Sequence, residues 1–475
     1  MTHMSDRYRA ALAALENRGQ AHALQFWNEL DEDRRRRLLD ELESIPWDEL
    51  APLIQTHVLN EPAPPSLDGL DPAPVHPHQP TPELAEVYTR AQATGERLLR
   101  AGAVAAFTVA GGQGTRLGID GPKGAVAVTP VKKKTLFQLF AETILAVRQR
   151  YGSTIRWYVM TSPANHEQTR RFFTQHDYFG LPADDVMMFN QAMLPAFDRH
   201  GKLLLADKHR LALSPDGHGG SLKALVSSGA LRDMQARGVE VISYFQVDNP
   251  LVRLLDPLFI GLHVERGAEM SSKVTPKVDD LEKVGNVCVQ NGHTVVIEYS
   301  DLPDELAHAK NADGSRKFDV GSLAIHLLST AFVDRIVGKR FGLPYHRAEK
   351  KAPCVDAGGV VQTPEAPNAV KLETFVFDAL PLAQRTLQFE ILRSEEFSPV
   401  KNATGVDSLE TAIRDQIRRA ARWLEAAGVR VPRKPDGAPD AALEIAPSAG
   451  LTSAQLAECL HTPESIERAA SVYID

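Results

Sequence analysis

The stretch of sequence that decides the fold is V-A-G-G-Q-G-T-R-L-G-I-D-G-P-K-G, residues 109–124, here named the glycine loop. Residues 103–109 are apolar and have the length of a buried strand, and residues 135–150 repeat apolar side chains at helical spacing. Glycine leaves the main-chain N–H groups of the loop open to a ligand, and Arg116 and Lys123 add two cations. A strand, a glycine-rich loop and a helix in this order predict a polyphosphate-binding site.

The two common phosphate-loop motifs do not fit this stretch. A P-loop requires G-x-x-x-x-G-K-[ST], and no spacing in the loop provides it. A dinucleotide fingerprint requires G-x-G-x-x-G, which Gly112 and Gly114 begin, but Leu117 occupies the place of the third glycine. A dinucleotide-dependent oxidoreductase is therefore disfavoured, and the sequence also lacks a credible ribose-binding carboxylate after a second strand.

The loop instead reads G-G-x-G-T-R-L followed by P-K-G, which resembles the signature of the eukaryotic-type UDP-sugar pyrophosphorylases. Within that family it is most similar to the N-acetylglucosamine enzymes. The resemblance extends over roughly residues 20–405, because further blocks follow in the family's order. These blocks are T-S at 161, F-F-T-Q-H-D-Y-F-G-L at 172, N-Q-A-M-L-P-A at 190, S-P-D-G-H-G-G at 214, V-D-N-P at 247, V-G-N-V-C at 284, V-I-E-Y-S at 296, F-V-F-D at 375 and E-F-S-P-V-K-N ending at 402.

Strands and helices alternate from about residue 100 onward, which predicts an α/β domain with a largely parallel sheet. Shorter strands within residues 268–299 are expected to form an antiparallel lobe beside that sheet. The resemblance implies a Rossmann-like nucleotidyltransferase (GT-A-like) central domain with a mixed sheet, a helical N-terminal extension and a small C-terminal domain. The predicted segments are a helical region at 1–60, a proline-rich linker at 61–82, the catalytic domain at 83–402 and a C-terminal domain at 403–475.

Composition excludes several other classes of protein. The 475-residue chain has a net charge of −8 and a pI near 6.1, which argues against a nucleic-acid partner. Its three cysteines are too few and too scattered for a disulfide framework or a zinc site. The N-terminus lacks an apolar signal core, and no apolar run reaches the length of a membrane span. We expect a cytoplasmic protein without a membrane partner, and the sequence leaves its oligomeric state open.

Gln191 is the candidate for recognising a uracil base. Uracil presents an acceptor–donor–acceptor edge, which suits backbone N–H groups together with a side-chain amide that can both donate and accept. The resemblance implies that Gln191 pairs with uracil; a local hydrogen bond at the end of a strand is the alternative. The resemblance assigns the rest of the nucleotide to Ala110, Gly111, Gly112, Gly114, Gly217 and His218.

Asp248 is the candidate metal ligand. It follows an apolar strand, where a lone carboxylate is costly unless it is paired or bound to a metal. In the resembling family this aspartate binds Mg²⁺; capping a helix is the alternative. Arg116 and Lys123 would neutralise charge on the phosphates, and Lys401 resembles a second phosphate-binding lysine. Because the glycine loop and Asp248 both follow strands of a parallel sheet, we expect them to meet in one crevice.

Four residues are candidates for the sugar, namely Gly285, Glu298, Ser322 and Phe375. An ionised carboxylate can accept two hydroxyl groups, which favours Glu298. The resemblance adds Gly285, where the chain could lie close to the sugar, and Phe375 as an apolar wall. His218 and Ser322 depart from the family pattern, which has asparagine at both places. These departures leave the identity of the sugar open, unless both residues lie outside the pocket.

The predicted reaction is that of a uridylyltransferase. UTP and a sugar 1-phosphate, with N-acetylglucosamine 1-phosphate expected first, would give a UDP-sugar and pyrophosphate with Mg²⁺ as the cofactor. A UDP-glucose or broad-specificity UDP-sugar pyrophosphorylase is the alternative within the same class. A non-catalytic protein that binds nucleotide sugars is the alternative from another class, and the combination of Arg116, Lys123 and Asp248 speaks against it.

Overall fold

The strand before the glycine loop is Val104–Val109, an inner strand of a ten-stranded mixed sheet. The structure is a computed structural model that describes residues 2–338, 341–460 and 465–475. The chain forms two compact units, each built from three separate segments. The first unit comprises Met1–Ser66, Gln191–Ser221 and Leu343–Asp378, and the second comprises Leu67–Asn190, Leu222–Gly342 and Ala379–Asp475.

The ten-stranded sheet belongs to the second unit and joins a parallel half to an antiparallel half. Val104–Val109 pairs in parallel with Trp157–Thr161 on one side and with Val241–Gln246 on the other. All its side chains are buried, as is usual for parallel strands covered on both faces. The main path of the sheet is Leu70–Pro72, Asn286–Gln290, Val320–Ser329, Val241–Gln246, Val104–Val109, Trp157–Thr161 and Val186–Asn190, and Met270–Pro276, Thr386–Glu390 and His293–Ile297 pair outside this path.

Capping residues set the ends of the helices around this sheet. Thr135 accepts a hydrogen bond from the backbone of Gln138 at the start of Leu136–Tyr151, and Gly152 ends that helix with a φ of 66°. The helices Gly220–Ser227 and Ala230–Ala236 are separate, because Gly229 takes a φ of 81° between them. The α-helices after the N-terminal region are Ala85–Arg100, Leu136–Tyr151, His166–Gln175, Gly220–Ser227, Ala230–Ala236, Pro257–Glu265, Asp304–Ala307, Thr330–Val337, Arg393–Glu396, Leu409–Ala426 and Ser453–Cys459.

The first unit packs N-terminal helices against short hairpins. The predicted helical region is confirmed, with α-helices Thr2–Glu16, Glu32–Glu43 and Trp47–Leu53. Their apolar side chains share one core with residues from the two later segments of this unit. The paired strands are Met193–Pro195 with Leu213–Pro215, Leu205–Asp207 with Arg210–Leu211, His346–Lys350 with Ala369–Glu373, and Cys354–Val355 with Val361–Gln362.

Two features differ from the expectations. The strands of residues 268–299 do not form a separate antiparallel lobe, because they pair within the main sheet. The proline-rich segment is more than a linker, since Leu70–Pro72 pairs with Asn286–Gln290. The predicted boundaries at 60, 82 and 402 stay predictions, since each compact unit is built from separate segments of the chain.

The C-terminal residues have a small core of their own within the second unit. The strand Ala441–Ile445 pairs in parallel with Ala470–Ile474, and both pack with the helix Leu409–Ala426. All three cysteines are free thiols. Among the described residues, no helix combines the length and the apolar character that crossing a membrane requires.

Candidate functional site

The candidate residues fall into two groups, one in each unit. The first unit holds Gln191, Gly217, His218 and Phe375. The second unit holds those expected to contact phosphates, metal and sugar. They are Ala110, Gly111, Gly112, Gly114, Arg116, Lys123, Asp248, Gly285, Glu298, Ser322 and Lys401.

The carbonyl groups of the glycine loop are held by two side chains from the next strand–helix connection. Asn165 Nδ2 donates to the carbonyl oxygens of Ala110 and Gly112 at 2.9 and 3.1 Å, and Ser162 Oγ donates to that of Gly111 at 2.8 Å. Within the described residues, the backbone N–H groups of 111–113 have no recorded partner. A Cβ atom built on Gly112 would meet nothing within 4 Å, so this face of the loop has room for a ligand.

Lys123 and Asp248 meet, as the sequence predicts for two residues after neighbouring parallel strands. Lys123 Nζ lies 3.1 Å from Asp248 Oδ2, and the two side chains are only 16% and 19% exposed. An ion pair sheltered to this extent is stronger than one at the surface, because less water screens it. Arg116, by contrast, is exposed in the short 3₁₀ turn Thr115–Leu117.

The segment that carries Lys401 is fastened beside Asp248. The backbone N–H of Val400 donates to the Asp248 carbonyl at 2.8 Å, and both ends of the Asn249 side-chain amide bond to the backbone of the same segment. The side chain of Lys401 nevertheless points to Asp407, with Nζ 3.7 Å from Oδ2. The structure therefore brings the backbone of Lys401 to the site, while its ammonium group pairs with an exposed carboxylate.

Among the candidate residues close to the glycine loop, Asp248 is the only one with a carboxylate. In the described part of the chain, no three His, Cys, Asp or Glu side chains converge into a metal-binding cluster. This donor set suits Mg²⁺, which commonly takes one or two protein carboxylates and completes its shell with phosphate oxygens and water. A zinc-like site made of protein ligands alone does not fit these residues.

In the first unit, two acceptors orient the amide of Gln191. Its Nε2 donates to Asp216 Oδ1 at 3.0 Å and to the carbonyl oxygen of Gly217 at 2.6 Å. Since both partners only accept, the amide nitrogen must face them and Oε1 must point away as an acceptor. Gly217 has a φ of +83°, and a Cβ there would lie 2.2 Å from the Thr374 carbonyl oxygen. Glycine is therefore required at this position.

His218 is held as a neutral imidazole against an aromatic cluster. Its ring stacks on Phe375 with centroids 5.2 Å apart, and Nδ1 accepts the backbone N–H of Val376 at 3.1 Å. Burial lowers the pKa of His218 to about 4, and the charge of His346 adds to this effect. At neutral pH the hydrogen therefore resides on Nε2. Where the family has an amide, this chain presents a ring N–H donor.

Gly285, Glu298 and Ser322 lie together on the antiparallel half of the sheet. The Ser322 N–H donates to the Gly285 carbonyl at 2.8 Å. A Cβ on Gly285 would lie 2.5 Å from Val296 Cγ1 and 3.5 Å from Glu298 Oε1, so only glycine fits. These three residues lie next to one another, and their contact with a sugar stays a prediction.

Three polar residues that hold candidate residues in place are not predicted from the sequence. Ser162 and Asn165 bind the carbonyl groups of the glycine loop, and Asp216 orients Gln191. Ser162 and Asp216 lie inside the T-S and S-P-D-G-H-G-G blocks, which are signals that could have identified them. Their bonds connect residues far apart in the chain, and no local pattern reveals such pairing.

These features define the class of protein. The glycine loop follows an inner parallel strand, and side chains hold its carbonyl groups. A Lys–Asp pair lies at the end of the neighbouring strand of the sheet. This arrangement is typical of a nucleotide-binding α/β protein. The profile of the UTP–glucose-1-phosphate uridylyltransferase family matches residues 67–415, and the chain belongs to this family.

Individual relatives extend the match beyond that region. The chain is 39% identical to the UDP-N-acetylhexosamine pyrophosphorylase-like protein 1 of Xenopus tropicalis, over 87% of this chain and 84% of that protein. It is 36% identical to UDP-N-acetylglucosamine diphosphorylase 2 of Arabidopsis thaliana, over 89% and 86%. The crystal structure of the UDP-N-acetylglucosamine pyrophosphorylase from Trypanosoma brucei superposes with a TM-score of 0.81 at 24% identity, over 99% and 98%, which shows the shared fold.

Proposed function

We propose that this protein transfers the uridylyl group of UTP to a sugar 1-phosphate, with N-acetylglucosamine 1-phosphate as the preferred acceptor. The observation that carries the proposal is the geometry of the glycine loop: Asn165 and Ser162 hold its carbonyl groups, and Lys123 pairs with Asp248. Family membership supports the reaction, and the sugar is the one in the names of several relatives. UDP-glucose formation or broad sugar specificity is the second candidate, favoured by the departures at His218 and Ser322.

The reaction breaks one phosphoanhydride bond and forms one. A phosphate oxygen of the sugar 1-phosphate attacks the α-phosphorus of UTP in line, and pyrophosphate leaves with the electron pair of the broken bond. The attacking oxygen is already anionic, so the chain needs no nucleophile of its own. The loop N–H groups, Lys123 and Arg116 hold the phosphates and offset their charge, and Lys401 adds a cation when its side chain turns from Asp407.

Magnesium is part of this proposal, with Asp248 as its protein ligand. When bound, the ion would neutralise phosphate charge during the transfer. Asp248 also accepts a hydrogen bond from Lys123, so the same carboxylate that would hold the ion also holds the lysine in place.

Asp248→Asn is expected to raise the Mg²⁺ concentration needed for half-maximal activity by at least about tenfold, because a neutral amide binds a hard cation more weakly than a carboxylate. The measurement is a Mg²⁺ titration of pyrophosphate release, with unchanged circular dichroism as evidence of folding. The matched control is Asp436→Asn, at an exposed turn, which should leave the titration as in the wild type. An unchanged Mg²⁺ requirement in Asp248→Asn would remove this residue from the metal site.

The sugar is proposed to bind beside Gly285, Glu298 and Ser322. The Glu298 carboxylate can accept hydroxyl groups, and the absence of a side chain at Gly285 keeps the backbone accessible. Ser322 is shorter than the family's asparagine and offers one hydroxyl where an amide has a donor and an acceptor. We therefore expect glucose 1-phosphate to be used measurably beside N-acetylglucosamine 1-phosphate.

Ser322→Asn is expected to increase the preference for N-acetylglucosamine 1-phosphate over glucose 1-phosphate by about tenfold, since each added hydrogen bond to substrate contributes about 1–2 kcal/mol. The quantity to measure is the ratio of kcat/KM for the two sugar phosphates in both proteins. Ser315→Asn, at an exposed turn of the same unit, is the control. If the ratio in Ser322→Asn stays at the wild-type value, Ser322 has only a structural role in its strand, and Glu298 determines the sugar specificity.

The test of the proposed function is pyrophosphate release from UTP with and without a sugar 1-phosphate. A uridylyltransferase releases pyrophosphate only when both substrates and Mg²⁺ are present. A non-catalytic nucleotide-sugar-binding protein would bind UDP-N-acetylglucosamine by calorimetry and release none. The same assay with a panel of sugar 1-phosphates separates an N-acetylglucosamine enzyme from a UDP-glucose or broad-specificity enzyme.

A further inference from the structure

A cavity of about 950 Å³ lies in the second unit. Its walls come from the helices Leu136–Tyr151 and Leu409–Ala426, from residues 250–258 and from the C-terminal strand Ala441–Ile445. In the part of the chain that the structure describes, no residue assigned above to nucleotide, metal or sugar lines this cavity, here named the C-terminal cavity. Its volume is within the range of cavities that hold small organic ligands.

Part of the C-terminal cavity is apolar. Six large side chains of the surrounding core line it and are almost completely buried: Phe140, Val147, Leu254, Leu255, Trp423 and Leu443. Other apolar side chains of the lining are partly accessible, namely Leu139, Leu258, Leu392, Ile445 and Leu451. A ligand that covers these accessible side chains would gain the free energy of removing apolar surface from water.

The lining contains equal numbers of carboxylates and cationic side chains, but the carboxylates already have partners. Asp256 binds Lys273, which is outside the lining, at 2.9 Å. Glu395 binds Arg422 at 2.7 Å and accepts from the indole of Trp423 at 2.7 Å. The others are Glu96 with Arg100 at 2.9 Å, Glu444 with the backbone N–H groups of Val131 and Lys132 at 2.8 and 2.7 Å, and Glu458 with Arg150 at 3.6 Å.

Two arginines of the lining, Arg253 and Arg419, have no carboxylate oxygen closer than 3.9 Å within the described residues. Asp256 lies 3.9 Å from Arg253, and one third of the Arg253 side chain, 33%, remains accessible. Burial lowers the pKa of Arg253, but the charges of Glu396, Asp256 and Glu395 outweigh it and raise that pKa above its usual value. Arg419 donates from Nη1 to the carbonyl oxygens of Leu251 and Glu395, which are neutral acceptors. Burial lowers the pKa of Arg419 to about 10; the charges of Glu395 and Glu396 oppose this effect, and those of Arg253 and Arg422 add to it. Both guanidinium groups are therefore charged at neutral pH, with donors left for an anion.

We propose that the C-terminal cavity binds an organic anion with an apolar body. Its carboxylate, sulfonate or phosphate group would bond to Arg253 and Arg419, because charge-assisted bonds to arginine are the strongest the lining can offer. Its ring or chain would pack on the apolar wall. This site is separate from uridylyl transfer, and the proposal holds whatever the preferred sugar is.

The test uses the full-length protein and a pair of fluorescent probes of similar shape. Anilinonaphthalene sulfonate carries an anionic group on an aromatic body, and phenylnaphthylamine is its neutral counterpart. We expect the anion to bind saturably and at least about tenfold more tightly than the neutral probe, the effect of one charge-assisted bond. Hydrogen exchange of the wild-type protein with the bound anion should slow in residues 250–258 and 409–426, and not in the glycine loop.

Variants locate the anionic group. Arg253→Met keeps the length of the side chain without its charge and should weaken binding of the sulfonate at least about tenfold, leaving the neutral probe unchanged. Arg418→Met is the matched control, since Arg418 is exposed on the same helix as Arg419 and outside the lining. Three outcomes would each overturn the proposal. They are equal affinity for the two probes, slowed hydrogen exchange elsewhere than at the cavity, and unchanged sulfonate binding in a folded Arg253→Met variant. If Arg253→Met does not fold, the two wild-type measurements decide alone.

Discussion

Lys123→Ala is expected to lower kcat by about 10²–10³-fold, the usual cost of removing one donor that meets charge developing in a transition state. The reason is the position of Lys123, at the end of the glycine loop and 3.1 Å from Asp248. As pyrophosphate leaves, negative charge increases on the phosphates, so the lysine contributes more in the transition state than in the complex with UTP. The KM for UTP should therefore change far less than kcat.

Steady-state kinetics of pyrophosphate release at saturating Mg²⁺ measure this effect. Lys132→Ala serves as the control, because Lys132 is an exposed lysine close in sequence that contacts the Tyr473 ring. Its kcat should equal that of the wild type within a factor of about two, as for most surface substitutions. A wild-type kcat in Lys123→Ala, or a loss confined to KM, would show that Lys123 contributes binding alone.

The second large effect concerns the base. UTP is expected to be preferred over CTP by at least about 10²-fold in kcat/KM, because Gln191 presents an acceptor that uracil N3–H can satisfy and cytosine cannot. Asp216 and the Gly217 carbonyl hold the amide nitrogen, so the side chain cannot turn over to suit cytosine. ATP and GTP should be rejected as well, since their larger bases present other edges.

Gln191→Ala tests the origin of this preference. Without the fixed acceptor, the kcat/KM ratio of UTP to CTP should fall to within about tenfold, mainly through loss of activity with UTP. Gln235→Ala, at an exposed position of a helix, is the matched control and should keep the wild-type ratio. A wild-type enzyme that uses CTP as well as UTP would contradict the assignment, and so would a Gln191→Ala variant with undiminished selectivity.

The parallel half of the sheet could be predicted from the sequence because its signals are local. The apolar run before the glycine loop, the loop and the following helix form one unit, and they predict Val104–Val109 to within a residue. The meeting of Lys123 with Asp248 followed from the same topology, since both residues come after parallel strands. Within residues 268–299 the sequence also predicts short strands, but periodicity does not show which strand pairs with which, and the strand Leu70–Pro72 lies in a segment predicted as a linker.

The remainder depends on contacts between distant parts of the chain. Segments 191–221 and 343–378 join the N-terminal helices in one unit, and no composition change marks those boundaries. The orientation of Gln191 depends on Asp216, 25 residues later, and the neutral state of His218 depends on burial against Phe375. Motif reasoning identified these residues by type, whereas their hydrogen-bonding roles required the folded structure.

The central claim is direct transfer of the uridylyl group, with the chain supplying position and charge. Isotope exchange between labelled pyrophosphate and UTP tests it in one measurement, made with and without N-acetylglucosamine 1-phosphate in the presence of Mg²⁺. Direct transfer predicts that label enters UTP only when the sugar phosphate is present. Exchange without the sugar phosphate would reveal a covalent uridylyl–protein intermediate, and no exchange under either condition would contradict uridylyl transfer to this sugar.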